Sequence, residues 1–464
     1  MRLSRREFLA ASSAVGAAFA GLRAWSDTTS GEPAVGYGPL HPDPDGVLSL
    51  PKGFAYQVVS RHGMEMDDGL LLPGLPDGMA TFPGNEGRTI VVRNHELEPD
   101  QRGPFGAGNE RLAMVDPDRI YDLGNNETPS LGGTTTVVYD TRRRRVVKQF
   151  LSLAGTVRNC AGGLTPWGSW LSCEESVLRR GRHKDGRYVT DQDHGYVFEV
   201  PARERIGLAD PIPLKAMGRF NHEAVAVDPA TDFVYETEDR DDGLFYRFLP
   251  ETGKDLRAGG RLQALGIVSR ASADTRNWSQ DADRFKQGQT FDVEWIDLDD
   301  VEAPQDDLRT RGFQAGAARF ARGEGIWYGA GEFYFACTSG GAAKMGQIWR
   351  YTPSPHEGNS GEIESPGKLE LFIEPDDASL VANCDNLTIA EWGDLIVCED
   401  TSAHPCRLVG VTPEGRIYTL AESCVRSELA GAAFSPDYST LFVNLQQEGL
   451  TLAITGPWGR RANR

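Results

Sequence analysis

Beyond its first two dozen residues the chain has no apolar run long enough to cross a bilayer, which excludes a membrane span from the remainder. Basic residues are in deficit. The 48 Lys and Arg against 67 Asp and Glu give a formal net charge of −19, the wrong sign for nucleic acid or an anionic membrane surface. Several familiar motifs are missing as well: there is no G-x-S-x-G elbow, no P-loop, no H-E-x-x-H and no G-x-G-x-x-G opening a helix. A side-chain serine nucleophile of that type, a nucleotide loop, a zincin site and a dinucleotide fold are therefore not indicated. Cysteine is scarce and odd in number, at positions 160, 173, 337, 384, 398, 406 and 424, so at least one thiol stays unpaired. Pairs such as Cys398 with Cys406 or Cys384 with Cys424 and free buried thiols both fit the sequence.

The chain opens with Arg2 and the pair Arg5-Arg6 ahead of a mildly apolar run from Phe8 to Ala20. Ser4-Arg5-Arg6-Glu7-Phe8-Leu9 is a twin-arginine signal pattern, and Ala18-Phe19-Ala20 offers a cleavage site. The expectation is a leader over residues 1–24, delivered through the twin-arginine export machinery, and a periplasmic or secreted mature protein over residues 25–464. Glycine (53) and proline (27) are plentiful and punctuate short apolar runs, which favours an all-β architecture.

Six segments repeat one plan of alternating strand, turn and second strand: "GMATFPGNEGRTIVVRNHE" (78–96), "CAGGLTPWGSWLSCEE" (160–175), "HEAVAVDPATDFVYETED" (222–239), "EGIWYGAGEFYFACTSG" (324–340), "DNLTIAEWGDLIVCED" (385–400) and "AGAAFSPDYSTLFVNLQQEG" (430–449). Such recurrence predicts a six-bladed β-propeller, a single domain with extra loops at its channel mouth. The opening positions carry Cys160, Glu223, Glu324 and Asp385; the closing positions carry Glu96, Glu174, Glu175, Glu236, Glu238, Asp239, Glu399 and Asp400. In an antiparallel hairpin the start of one strand and the end of the other lie at the same edge, so the acids gather at one mouth. Carboxylates so crowded cannot all stay ionised without counter-cations. Hard oxygen ligands suit Ca²⁺ or Mg²⁺, whereas a thiolate among them asks for iron or zinc.

Other acidic and basic clusters read as ordinary turns. Arg142, Arg143, Arg144 and Arg145 separate two strand-like runs and fit the solvated turn of a hairpin. Asp191-Gln192-Asp193-His194-Gly195 resembles a calcium loop, but the twelfth position of an EF-hand would be Ala202, so a turn before a strand is expected. Residues 97–131 are long for a loop, a length found in functional lids.

Asn159-Cys160-Ala161-Gly162-Gly163, Thr165-Pro166-Trp167-Gly168 and Cys173-Glu174-Glu175 resemble the PhoX family of alkaline phosphatases. Gly218 to Ala224, Arg322-x-Glu324-Gly325, Asp385-Asn386-Leu387 and Ser435-Pro436-Asp437 extend the match over most of the mature chain. The resemblance implies an exported, monomeric propeller that hydrolyses phosphate monoesters at a cluster of ferric iron and calcium joined by an oxo bridge. It would make Cys160 an iron ligand and place Glu175, Glu223 and Glu324 in the iron and calcium shells. Asp239 and Asp385 would be on calcium, and Arg322 would grip the substrate phosphate. Three departures stand out: residues 137–158 are too short for the phosphate-binding asparagine that long family members carry before Asn-Cys, the usual Arg-Pro-Glu is Arg322-Gly323-Glu324, and the customary Gln-His-Pro-Gly is Gln446-Gln447-Glu448-Gly449. The metal cage thus matches better than the substrate side. Two other readings compete: a metal-dependent propeller hydrolase acting on a phosphodiester or lactone, and a non-catalytic, calcium-stabilised binding propeller.

Overall fold

The computed structural model describes residues 35–459 apart from residue 127 and residues 280–283. The leader expected over residues 1–24 lies outside the described residues. Among them the secondary structure is almost wholly strand, with one short α-helix, Leu308–Gln314. No helix in this part is long and apolar enough to cross a membrane.

Each repeated hairpin opens an antiparallel meander. Pro76–Pro83 leads into Arg88–His95, Gly132–Asp140 and Arg145–Thr156, and Asn159–Leu164 leads into Ser169–Glu174 and Val197–Pro201. Cys384–Ile389 begins a sheet that ends on the early strands Leu48–Pro51 and Leu40–His41. The last hairpin, Leu429–Phe434 with Thr440–Leu445, adds Leu450–Thr455 and then Ala55–Arg61, so the two ends of the chain are tied into one sheet. The hairpins that start at His222–Val227 and Gly323–Gly329 share a ten-stranded sheet, because Thr290–Asp297 pairs with Lys368–Ile373. Aromatic packing fills this double unit: Phe245 stacks on Phe335 at 4.4 Å, and Trp349 and Tyr351 are wholly buried beside them.

The first strands of the hairpins pack side by side in chain order, and Leu429–Phe434 returns to Pro76–Pro83. The arrangement is propeller-like. Small residues line the axis because the strands approach closely there. A Cβ on Gly78 would lie 2.5 Å from the Ala161 Cα. The space left among Gly78, Ala161, Ala224, Gly325 and Asn386 is about 20 Å³, room for roughly one water.

Every hairpin also carries one extra residue on its first strand, near its opening. Pro76 pairs with His95 and Met79 with Arg93; Asn159 pairs with Glu174 and Gly162 with Ser172; His222 pairs with Glu238 and Val225 with Glu236. The same shift follows Gly323, Cys384 and Ala430. A bulge breaks the strict two-residue alternation and re-aims a side chain. Here it falls on the acid-bearing positions. Expectations for the surface turns hold: Arg143 bonds Asp140 through its backbone N–H and its guanidinium, inside the turn between two strands. All seven cysteines are free, six buried and Cys424 exposed, so neither pairing considered from the sequence forms.

Candidate metal centre

The second residue of each hairpin-opening strand is Asp77, Cys160, Glu223, Glu324, Asp385 or Ala430. Five of the six supply a donor atom; Ala430 supplies none. Just beyond the end of each return strand come Glu96, Glu175, Asp239, Thr338, Asp400 and Gln446, and each backbone N–H bonds the carbonyl of Leu75, Arg158, Asn221, Arg322, Asn383 or Glu428 in turn. One backbone pattern, repeated around the axis, thus stacks the rings of side chains at one mouth.

Three overlapping groups place ligand atoms within 4.8 Å of one another: Asp77, Glu96 and Cys160; Cys160, Glu175 and Glu223; Glu223, Glu324 and Asp385. Cys160 and Glu223 each belong to two groups, so the seven residues form one continuous cage. Both carboxylate oxygens of Glu223 and Oδ1 of Asp77 are buried without a hydrogen-bond partner. An unpartnered buried carboxylate is costly unless it is protonated or holds a cation. Burial, and then the charges of Glu175, Asp385 and Asp77, push the Glu223 carboxyl well above the usual range. Burial, then Asp77 and Glu223, likewise push the Cys160 thiol up. Orphaned oxygens, a thiol and carboxylates around a common space are a donor set that fits multivalent cations, hard at the oxygens and softer at the sulfur.

Polar partners brace the cage. Gln446 Nε2 donates to Asp77 Oδ2 at 2.6 Å and to Glu96 Oε2 at 2.9 Å, and Gln447 Nε2 donates to Gln446 Oε1 at 2.7 Å. Arg158 Nη2 bridges Glu96 and Glu175 at 2.5 Å to each. Arg322 makes a two-pronged contact with Asp239, Nε at 2.6 Å and Nη2 at 2.8 Å, and reaches Glu324 at 3.0 Å. Asp400 and Glu428 extend the acid array, with burial first and the Asp385 charge next raising the Glu428 carboxyl. A cavity of about 410 Å³, lined by Thr401, His404, Arg426 and Gln447, reaches Asp400 and Glu428 from outside.

Of the residues singled out from the sequence, Glu96, Cys160, Glu175, Glu223, Glu324 and Asp385 come together in the cage. Asp239 stands beside it, holding Arg322. Their place beside Cys160 in the sequence predicts that Gly162 and Gly163 let the backbone approach the cluster closely, but they serve another end. A Cβ on Gly162 would meet Leu171 O and one on Gly163 would meet Val225 O, each at 1.9 Å, so they admit neighbouring strand backbones. The tight turn spans Thr165 to Ser169, whose backbone groups bond at 2.8 Å, while Trp170 lies buried in the strand and donates to Asn94.

Residues 97–131 contribute Leu97, Phe105, Ile120 and Leu131 to a hydrophobic cluster with Met66 and Leu72. This segment is anchored by its own core. Sequence reading did not pick out Asp77, Arg158 or Glu428, and it noted Gln446 only as the start of an altered motif. A signal for Asp77 was present: it lies six residues before Pro83, as Cys160 does before Pro166 and Glu223 before Pro229 (83 − 77 = 166 − 160 = 229 − 223).

A family model described as alkaline phosphatase PhoX matches residues 35–449. Among solved structures, PhoX of Pseudomonas fluorescens in complex with vanadate, a transition state analogue, aligns with a TM-score of 0.67 at 18% identity, covering 92% of this chain and 99% of that one. A gluconolactonase of Xanthomonas campestris aligns with a TM-score of 0.38 at 12% identity, over 92% and 99% of the two chains. The first likeness bears on the fold; the second is too loose to bear on anything. No curated protein matches the chain.

Proposed function

Because the chain belongs to the PhoX alkaline phosphatase family and hydrolyses phosphate esters, we propose that it does so as an exported, monomeric, metal-dependent phosphomonoesterase whose centre is the acid cage. The observation that carries the reading is Glu223, a buried carboxylate with both oxygens unpartnered, set among three other acids, Glu175, Glu324 and Asp385, and the Cys160 thiol. Cys160, Glu175, Glu223, Glu324 and Asp385 would hold iron and calcium, with Asp77 and Glu96 completing the donor set. Asp239, which stands beside the cage and holds Arg322, would add a carboxylate to the calcium shell. Bound there, multivalent cations supply charge neutralisation for the phosphoryl oxygens and activation of the attacking oxygen.

The chain's own residues do the remaining work. Arg322 presents a planar fork whose N–H groups match two phosphoryl oxygens, and Glu324 and Asp239 hold that fork beside the cage. The closed axis below the cage keeps substrate at the mouth, with the 410 Å³ cavity as room for the leaving alcohol. Six side-by-side opening strands support a count of six blades, the ten-stranded sheet being two blades joined at their outer edges. The sequence of the leader supports twin-arginine export to the periplasm or beyond.

The test is an assay of purified folded protein on an aryl phosphomonoester and an aryl phosphodiester, with metal analysis of the same sample. Monoesterase activity with iron and calcium present is expected. Activity with both metals absent would refute the cluster, and diesterase activity without monoesterase activity would move the substrate class.

A further inference from the structure

We propose that Arg158 is a second phosphate-binding guanidinium of this site, paired with Arg322. The inference rests on the phosphatase reading above. Arg158 and Arg322 hold the same place in two different hairpins: each directly precedes the opening strand, Asn159–Leu164 or Gly323–Gly329. Each carbonyl accepts from the residue just past the return strand, from Glu175 N at 2.9 Å and from Thr338 N at 3.0 Å. Both residues take a left-handed backbone, φ 48° and 53°, and Leu75 and Asn383 do so at the corresponding positions. Four of the six hairpins share the conformation, Asn221 and Glu428 being the exceptions, and at two of the four, Arg158 and Arg322, the side chain reaches acids at the mouth.

Their contacts correspond too. Arg322 lies between Asp239 and Glu324, and Arg158 lies between Glu96 and Glu175. The difference is in unused donors. A guanidinium offers five N–H groups, and Arg158 engages its two acids through Nη2 alone. Its Nε is buried with no partner. An orphaned, cationic N–H next to a cage that takes phosphate is a site for an oxygen of that phosphate. The side chain as a whole is 35% exposed, so an incoming anion can reach the guanidinium, and a small turn of the side chain presents the buried Nε to it. The bland alternative is that Arg158 only neutralises Glu96 and Glu175. That role needs a positive charge and no fork.

The experiment measures inorganic phosphate binding by titration calorimetry on the metal-loaded protein, for wild type, Arg158→Ala, Arg158→Lys and Arg322→Ala, with metal content and melting temperature of each. Phosphate affinity is expected to fall roughly 10- to 100-fold in Arg158→Ala, the worth of a charged hydrogen bond. Arg158→Lys keeps the metals and recovers the affinity only in part, and added guanidinium ion strengthens phosphate binding to Arg158→Ala. Affinity within about twofold of wild type in Arg158→Ala overturns the proposal. So does full recovery in Arg158→Lys, which covers the case in which the alanine variant loses metal or fails to fold. Unchanged phosphate affinity in Arg158→Ala alongside normal wild-type hydrolysis rejects the second guanidinium alone; wild-type protein that binds phosphate and hydrolyses no monoester rejects the reading beneath it.

Discussion

Glu174 and Glu175 are adjacent in the chain and serve opposite environments. Glu175 Oε2 meets Arg158 at the cage, whereas Glu174 is turned into the blade, where Oε1 accepts from Val157 N at 2.9 Å and lies 2.7 Å from His194 Nδ1, and Oε2 accepts from Gly195 N at 2.8 Å. The return strand places successive side chains on opposite sides. The pattern repeats: Glu238 bonds Tyr246 while Asp239 holds Arg322, and Glu399 grips Arg407 while Asp400 joins the mouth. Of each acidic pair, one member braces the hairpin and the other serves the site.

In the proposed site, Arg322→Ala removes the fork that would meet the phosphoryl group. The expected loss in kcat/KM is about 10²- to 10³-fold, the range seen when one preorganised donor is deleted, with iron and calcium content unchanged. Arg322→Lys keeps the charge without the fork and falls between. A drop confined to metal content, with turnover per loaded site preserved, would assign Arg322 to the cage instead.

Cys160→Ser exchanges a soft donor atom for a hard one of nearly equal size, and in the proposed centre that atom would be an iron ligand. Iron affinity is expected to fall about 10- to 100-fold, with calcium retained and the circular dichroism spectrum unaltered. Elemental analysis of the purified variant decides it: iron at the wild-type level removes the thiolate from the ligand set.

Gln446→Leu strips Asp77 and Glu96 of a shared donor. Leaving buried acceptors unsatisfied costs about 1–3 kcal/mol, so the chelated protein should unfold at lower denaturant than chelated wild type. Excess calcium should narrow the gap, since a bound cation replaces the missing donor. Equal denaturation midpoints for the two chelated proteins would show that the amide does not brace these acids.

How far the sequence reached follows from what each signal encodes. Repetition of a strand–turn–strand unit is a property of composition and spacing, so the six hairpins and the acids at their ends were legible. The join between the third and fourth meanders was not, because it depends on Thr290–Asp297 pairing with a strand far along the chain. Cys160, Glu223, Glu324 and Asp385 were legible from shared strand position, and Asp77 escaped notice one residue outside the quoted repeat. Arg158 and Gln446 were illegible for another reason: their roles come from the groups they touch across hairpins, such as Gln446 with Asp77, 369 residues apart. The spacing alone left Glu174 and Glu175 equivalent and the family resemblance pointed to Glu175; the physical reason is the strand's facing, which turns Glu174 into the blade.

His194 gives a pH dependence of known sign. It is fully buried between Glu174 and Asp122, with Nδ1 2.7 Å from Glu174 Oε1 and Nε2 3.1 Å from Asp122 Oδ2. Burial opposes its charge, but the Glu174 charge and the Asp122 hydrogen bond outweigh it and hold the imidazolium up to about 9. A pKa raised above the unfolded value of about 6.5 binds a proton preferentially in the folded state. Its contribution is therefore complete below about pH 6.5 and fades as pH rises through about 9, and a gap of this size is worth on the order of 3 kcal/mol. Asp122 passes the effect outward, since it also accepts from the backbone N–H groups of Gly124, Asp191 and Gln192 and so ties two loops to the second meander. His194→Gln keeps a hydrogen-bonding side chain and removes the titration. Wild type should melt higher than this variant near pH 7, with the difference shrinking toward pH 10; a difference constant over that range would mean that the imidazole is neutral in the fold.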